Sequence, residues 1–509
     1  MTALIIHGHF YQPPRENPWT GRIDRQPSAY PYRNWNERIH DECYAPNGFA
    51  HIVGPNNTVA YTLNNYANIS FNFGPTLLSW LELYHPKTYR RIIDADQQSV
   101  SERGGHGNAI AQAYGHAILP LCNERDRLTQ VLWGLEDFRF RFGREPESLW
   151  LPETGCNAQT LELLIEQGLR YVILAPNQAE RVLSGEGESR LVADGSIDPR
   201  QAYQYSHSDH SGRSIAAFFY DGALSQSIAF ERVLSSSRAL IDMFGRAMNG
   251  GRMVNVATDG ETYGHHFKFG DLALAHALAV EARARGYQVT NYGEFLDHHP
   301  PEFEVQLKSG PSLADGSAEG TAWSCSHGLG RWTRDCGCHT GGADGWQQAW
   351  RAPLRLALDY LRDETVSEFE SMGGDLLSDP WEARNDYIKV ILNEERSREE
   401  FLARHSRRPL SPLDQWRALS LLEIQRNALL MYTSCGWFFS ELSGIETLQI
   451  MKYAARVLEL RDELGLPARR PEFLERLAEA QSNISEYGSG ADLYQRFVEP
   501  VATEVTSYS

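Results

Sequence analysis

Short apolar runs, each closed by Gly, Pro, His or a carboxylate, punctuate the first 300 positions, with amphipathic stretches between them. The first, Leu4, Ile5 and Ile6, runs into His7-Gly8-His9-Phe10-Tyr11-Gln12-Pro13-Pro14. Others follow at 148–151, 171–175, 215–220 and 253–258, and two further strands are predicted at the more polar stretches 68–72 and 98–102. Their length, and the β-branched and aromatic residues that most of them carry, predict buried strands. Helices are predicted between them: one from Pro75, a favoured first-turn residue, one from Ala158 capped by Asn157 or Thr160, and one over 271–285, with apolar residues at helical spacing. The helix after the 98–102 run is expected to carry His116. The stretch 15–66, rich in Pro, Asn, Tyr and Trp, reads as a long excursion over one face. Strands alternating with helices imply an α/β fold with a parallel sheet, covered on both faces or closed into a barrel, and about seven such units favour the barrel over an open sheet.

The pattern breaks at His298-His299-Pro300-Pro301. The expected domains are a barrel over 1–300, a Gly/Cys-rich connecting segment over the barrel mouth at 301–345, and an α-helical domain over 346–509. In the last, 416–431 is a strongly apolar helix ending in Tyr432-Thr433-Ser434-Cys435-Gly436-Trp437-Phe438-Phe439, 404–412 is a solvated basic loop, and the tail beyond Tyr487 reads as loosely ordered.

Composition narrows the function. A net charge of −18 over 509 residues argues against nucleic acid or anionic membrane as the main partner. No apolar run approaches the ~20 residues needed to cross a bilayer, and the N-terminus lacks the basic-then-apolar pattern of a secretory signal. Seven scattered cysteines suit reduced thiols, so a cytoplasmic protein is expected. Twelve Trp and 23 Tyr supply flat surfaces of the kind that stack on sugar rings.

The chemistry gathers at strand ends. In Leu149-Trp150-Leu151-Pro152-Glu153-Thr154-Gly155, Pro152 ends the strand, and Glu153 falls where β-α folds place their reactive groups; the plainer alternative is a helix-capping carboxylate. Asp259-Gly260-Glu261 closes the 253–258 run, with His265 and His266 just beyond. His7 and His9, two apart on a strand, face the same side. His7, His9, His116, Glu261 and His265 are candidate sugar-binding residues, and Trp150, Trp323 and Trp437 candidate stacking platforms; core packing is the competing role for His7 and for each Trp.

These motifs resemble glycoside hydrolase family 57, whose members act mainly on α-glucans. His7-Gly8-His9 with Gln12-Pro13 is similar to the family's opening His-Gln-Pro motif, with two residues inserted. Trp150 and Glu153 match its Trp-x-x-Glu motif, and Asp259-Gly260-Glu261 with Gly264 its Asp-Gly-Glu motif. Residues 433–439 are similar to an aromatic segment of its helical domain. The resemblance implies a distorted (β/α)7 barrel as catalytic domain, followed by an α-helical domain that contributes to the active-site cleft, with Glu153 as nucleophile, Asp259 as general acid/base and an α-glucan or maltooligosaccharide as substrate. Two positions depart from the family pattern: Asn108 stands where a Glu is usual, and Gly436 replaces an Asp.

Two other readings compete. A metal-dependent polysaccharide hydrolase or deacetylase would use His7, His9, His106, His265 and a carboxylate as ligands. A non-catalytic glucan-binding protein would need neither carboxyl group. Cys325, His327, Cys336, Cys338 and His339 offer enough ligands for a structural metal, but their spacing fits no common zinc module. The expectation is therefore thiols without a metal, and no cofactor.

Overall fold

The computed structural model describes residues 2–54, 58–185, 187–248, 250–313 and 316–506, with side chains apart from 394–397 and 503–506. Its contacts divide the chain into two units that interleave in sequence. The first comprises residues 1–12, 25–112 and 138–323; the second comprises 13–24, 113–137 and 324–509. The position 300 boundary expected from composition therefore falls inside the first unit, which continues through a strand at Glu304–Leu307 as far as Trp323.

Among the described residues, seven parallel strands organise the first unit: β1 (Ala3–Phe10), β2 (Ser70–Phe73), β3 (Ala111–Gln112), β4 (Leu149–Trp150), β5 (Tyr171–Leu174), β6 (Ser214–Phe219) and β7 (Met253–Asp259). β1 lies between β7 and β2. From β2 the run continues through the Phe71–Ala109 bridge to β3, then to β4, through the Ser148–Tyr171 bridge to β5, and on to β6. It closes on itself where Asp221 N–H donates to Asn255 O (2.8 Å) and the Asn255 side-chain amide donates to Phe219 O (3.2 Å). An antiparallel strand, Ala202–Ser206, flanks β6 and distorts the ring. Ile5, Trp150, Tyr171, Phe218 and Tyr292 fill the interior.

One predicted strand is misplaced. Residues 98–102 end the helix Pro86–Glu102, because Ile92, Ala95, Asp96 and Ser99 bury at helical spacing. The third strand is instead β3, only two residues long, between Ile110 and Ala113. His116 is not helical either: it sits in a loop with φ 54°, and the next α-helix starts at Glu124.

The second unit is helical, built on Arg351–Leu376, Pro412–Leu430 and Ile445–Glu463. Ser411 caps the middle one by accepting from Asp414 N–H, with Pro412 in its first turn. The C-terminal stretch, expected to be loose, forms the helices Gly490–Phe497 and Glu499–Thr506. A Ser489–Asp492 capping box starts the first of them, and its Leu493 and Tyr494 are fully buried, which holds it down. No described helix is long and apolar enough to cross a membrane.

Candidate active site

Register places the first polar groups. His9 on β1 pairs with Asn72 on β2 and with Asp259 on β7, so the three stand side by side across adjacent strands. The Asn72 amide N–H donates to His9 Nδ1 (2.9 Å) and to Gln112 Oε1 (2.8 Å), which leaves its oxygen to accept from His7 Nε2 (3.1 Å). Burial lowers both histidine pKa values to about 3, so both are neutral. His9, accepting at Nδ1, then carries its proton on Nε2 and is a donor there. His7 is spent internally, since Ser70 Oγ meets its Nδ1 at 3.0 Å.

Beyond β4 the chain makes an unusual turn. Glu153 (φ 58°) and Thr154 (φ 51°) are consecutive non-glycine residues in the left-handed region, a conformation that costs on the order of 1–3 kcal/mol each. The turn is held on both sides. Thr154 N–H donates to Leu151 O, Gln178 Nε2 donates to Thr154 O, and Cys156 exchanges two backbone hydrogen bonds with Thr321. The segment that follows Thr321 grips Glu153 twice. Trp323 backbone N–H donates to Glu153 O (3.0 Å), and its indole Nε1–H donates to Glu153 Oε2 (2.9 Å). One carboxylate oxygen is thus fixed by a charge-assisted hydrogen bond.

Asp259 ends β7. It is the one exposed residue of that strand, yet protein crowds it closely. Desolvation first, and the Glu153 charge second, push its pKa up to about 7. Because the side chain stays exposed, the desolvation share is smaller than for an occluded group, and the Glu153 charge keeps the direction upward. Gly260 follows by steric necessity: a Cβ there would lie 2.2 Å from the Phe10 ring. Gly264 (φ 148°) passes so close to Glu42 O that a Cβ would lie 2.4 Å from it. Tyr220, just past β6, is buried, and the Asp259 charge contributes to raising its phenol pKa.

With this geometry established, comparison with known proteins identifies the family. Residues 4–308, more than half of the chain, match the model of glycosyl hydrolase family 57. The chain belongs to that family. Residues 346–508 match a domain of unknown function, DUF3536. Over 106 residues the chain is 26% identical to Alpha-amylase 1 of Dictyoglomus thermophilum, a match spanning 21% of this chain and only 15% of that protein. Among solved structures, it superposes on an exo-type maltose-forming amylase from Pyrococcus sp. ST04 with TM-score 0.66 and 15% identity, over 100% of this chain and 94% of that one. A family 57 branching enzyme from Pyrococcus horikoshii gives TM-score 0.55 and 14% identity, over 98% and 96%. At these identities the likeness is one of fold.

In this family 57 chain the structure separates the candidate residues into groups. Glu153, Asp259, His9 and Trp323 come together in the first unit, with Tyr220 6.3 Å from Trp323 and Trp150 5.2 Å from it, ring to ring. Trp150 is buried and stacks on both His7 (4.8 Å) and His9 (4.9 Å), so it serves as a floor and its face is not open to a sugar. Its Nε1 and the Gln112 Nε2 are buried donors without an acceptor among the described residues. His265 lies elsewhere: it pairs with Glu42 and lines a hollow of about 820 Å³ to which neither Glu153 nor Asp259 contributes. His116 and Trp437 both belong to the helical unit. There His116 Nδ1 meets Ser434 Oγ (2.7 Å), while Trp437 is fully buried and donates to Arg351 O (3.1 Å).

The ligands of the metal-hydrolase alternative do not converge. His106 is tied to Glu147 and Asp297, and His265 to Glu42, while His7 and His9 share Asn72. Asn72, Gln112, Tyr44 and Tyr220 went unread in the sequence, because a lone amide or phenol on an apolar strand or in a long loop carries no motif.

Glu261 is neither a surface group nor open to ligand. It is buried, and its Oε1 accepts from Tyr44 OH (2.5 Å) and Tyr11 N–H (3.0 Å), bracing the end of β1. Burial first and the Asp259 charge second push it up to about 8 from the usual 4.5. Between those two pH values the unfolded chain releases this proton while the folded chain keeps it. Stability should therefore fall as pH rises from about 4.5 to about 8, by on the order of 5 kcal/mol at roughly 1.36 kcal/mol per unit, and then level off. Glu261→Gln, which keeps an acceptor for Tyr11, is expected to flatten that slope in urea unfolding at pH 5.5 and 8.5. An unchanged slope would refute the assignment.

Proposed function

We propose that this family 57 chain is a retaining glycosidase or transglycosidase acting on α-glucans, with Glu153 as nucleophile and Asp259 as acid/base. The observation that carries the reading is the unequal carboxyl pair: Glu153 raised on a strained turn and gripped by Trp323, Asp259 held toward its protonated form partly by the Glu153 charge. Two carboxyl groups with environments that separate their pKa values are what a double displacement requires. The α-glucan class is supported by the relatives, whose names are amylase and branching enzyme.

In the first step a Glu153 oxygen attacks the anomeric carbon. The bond to the leaving sugar oxygen breaks, and that oxygen takes the Asp259 proton. In the second, Asp259 as carboxylate removes a proton from water or from a sugar hydroxyl. The resulting oxygen displaces Glu153, restoring both carboxyl groups. His9 Nε2–H and Tyr220 OH supply polar contacts to the sugar, and the exposed part of Trp323 supplies a flat one.

The test is stereochemical. With maltooligosaccharides, the first-formed anomer followed by NMR should be α, the configuration of the bond cleaved, and the glycosylation rate should fall as pH rises through about 7, where Asp259 loses its proton. A β product would overturn the double displacement. A rate that persists above pH 8 in the wild type and in Asp259→Asn would overturn the acid.

A further inference from the structure

The helical unit contains a cluster that the proposed chemistry does not use. Cys325, His327, Cys336 and Cys338 each direct one ligand atom to a common point, all four atoms lying within 4.8 Å of one another. Cys325 Sγ is 3.9 Å from Cys336 Sγ, and Cys338 Sγ is 3.4 Å from His327 Nδ1. A tetrahedral zinc with bonds of about 2.3 Å to sulfur and 2.05 Å to nitrogen sets its ligands about 3.8 Å apart for two sulfurs and about 3.6 Å for sulfur and nitrogen. These two distances match an occupied site, and the spread of up to 4.8 Å over the four atoms leaves about 1 Å to close on a bound ion. We propose that Cys325, His327, Cys336 and Cys338 form a structural Zn²⁺ site of the Cys3His type.

The backbone is shaped for this. Gly337 (φ 80°) turns the chain between Cys336 and Cys338 so that both thiols face one point. Gly330 lets Cys336 approach, since a Cβ there would lie 2.8 Å from Cys336 Cβ. The loop is tied down around the cluster: Arg334 Nη2 donates to His327 O (2.7 Å), Arg331 Nη1 to Phe438 O (2.8 Å) and Arg351 Nη1 to Cys338 O (2.7 Å). His339, which the sequence also offered, bonds to Gly341 O and stays outside the set.

Charge supplies an independent observation. Arg351 is fully buried, and its Nε and Nη2 have no acceptor among the described residues. A buried guanidinium with two donors unsatisfied calls for a negative charge close by. Three thiolates and a neutral imidazole around Zn²⁺ carry one net negative charge, the counter-charge that Arg351 lacks. Uptake would release the thiol protons, and Zn²⁺ is the metal that tetrahedral sulfur and imidazole ligands favour.

The full-length protein, purified with neither chelator nor added metal, should contain about one zinc per chain by mass spectrometry of the metal. Cys325→Ser and Cys338→Ser should lose most of it. Because those variants affect a buried loop, His327→Ala, at an exposed position, provides the second test: it should fold with unchanged circular dichroism yet surrender zinc to a competing chromophoric chelator well over tenfold more readily. Cobalt added to metal-free protein should give thiolate charge-transfer and tetrahedral d–d bands that vanish in Cys338→Ser. Less than about 0.1 zinc per chain after reconstitution would overturn the site. So would zinc content indifferent to all three variants, or a non-reducing mass two hydrogens short, marking a Cys325–Cys336 disulfide.

Discussion

Glu153→Gln is expected to reduce turnover by on the order of 10⁴-fold or more, with the fold intact, since removing a covalent nucleophile forfeits a step that binding energy alone does not replace. The amide keeps an oxygen to accept from Trp323 Nε1–H, so the strained turn retains its grip and the melting temperature should move little. The charge, however, is gone, and the Glu153 charge is one of the two causes that raise Asp259. The Asp259 pKa should therefore drop in this variant, a change that NMR titration of the labelled carboxyl would follow without any turnover. Glu153→Ala supplies the chemical control. Azide filling the vacated space should attack the anomeric carbon directly and give a glycosyl azide of inverted configuration. Activity of Glu153→Gln within tenfold of wild type, or an Asp259 titration that does not move, would remove Glu153 from the role of nucleophile.

The parts of this site that were legible in the sequence share a physical cause. Strands such as β1 and β7 are runs of β-branched and apolar residues ended abruptly by polar ones, so both the strand and the reactive end are visible locally. Glu153 and Asp259 stand out for that reason. β3 does not, because two residues among alanines carry no periodicity, whereas the nearby 98–102 segment, with Val100 between two serines, closes a helix that buries Ile92, Ala95, Asp96 and Ser99. The interleaving of the two units was equally hidden. Residues 13–24 and 113–137 join the helical unit through contacts hundreds of positions away, such as Arg15 to Glu446 and Trp133 Nε1 to Arg384 O, which no local pattern encodes. The hold of Trp323 on Glu153 spans 170 residues and is of the same kind.

Trp437 tests how far a motif can be read as function. Its run of aromatic and small residues suggested a platform that stacks on sugar, yet the side chain is fully buried within the helical unit. Its Nε1–H is committed to Arg351 O, the Arg355 guanidinium lies 4.6 Å from the ring, and Tyr432 stacks at 6.3 Å. Gly436 beside it packs against Ile450, where a Cβ would lie 2.5 Å from a side-chain carbon, so the usual Asp at that position has no room here. Trp437→Ala is accordingly expected to cost ~3–5 kcal/mol of stability by opening a cavity and orphaning the Arg351 carbonyl. Kinetics of the folded fraction should be unchanged on both short and long glucans. The measurement pairs urea unfolding with kcat/KM on maltotriose and amylose. A loss confined to the long substrate, with a melting temperature close to that of the wild type, would reverse the conclusion and return Trp437 to the substrate.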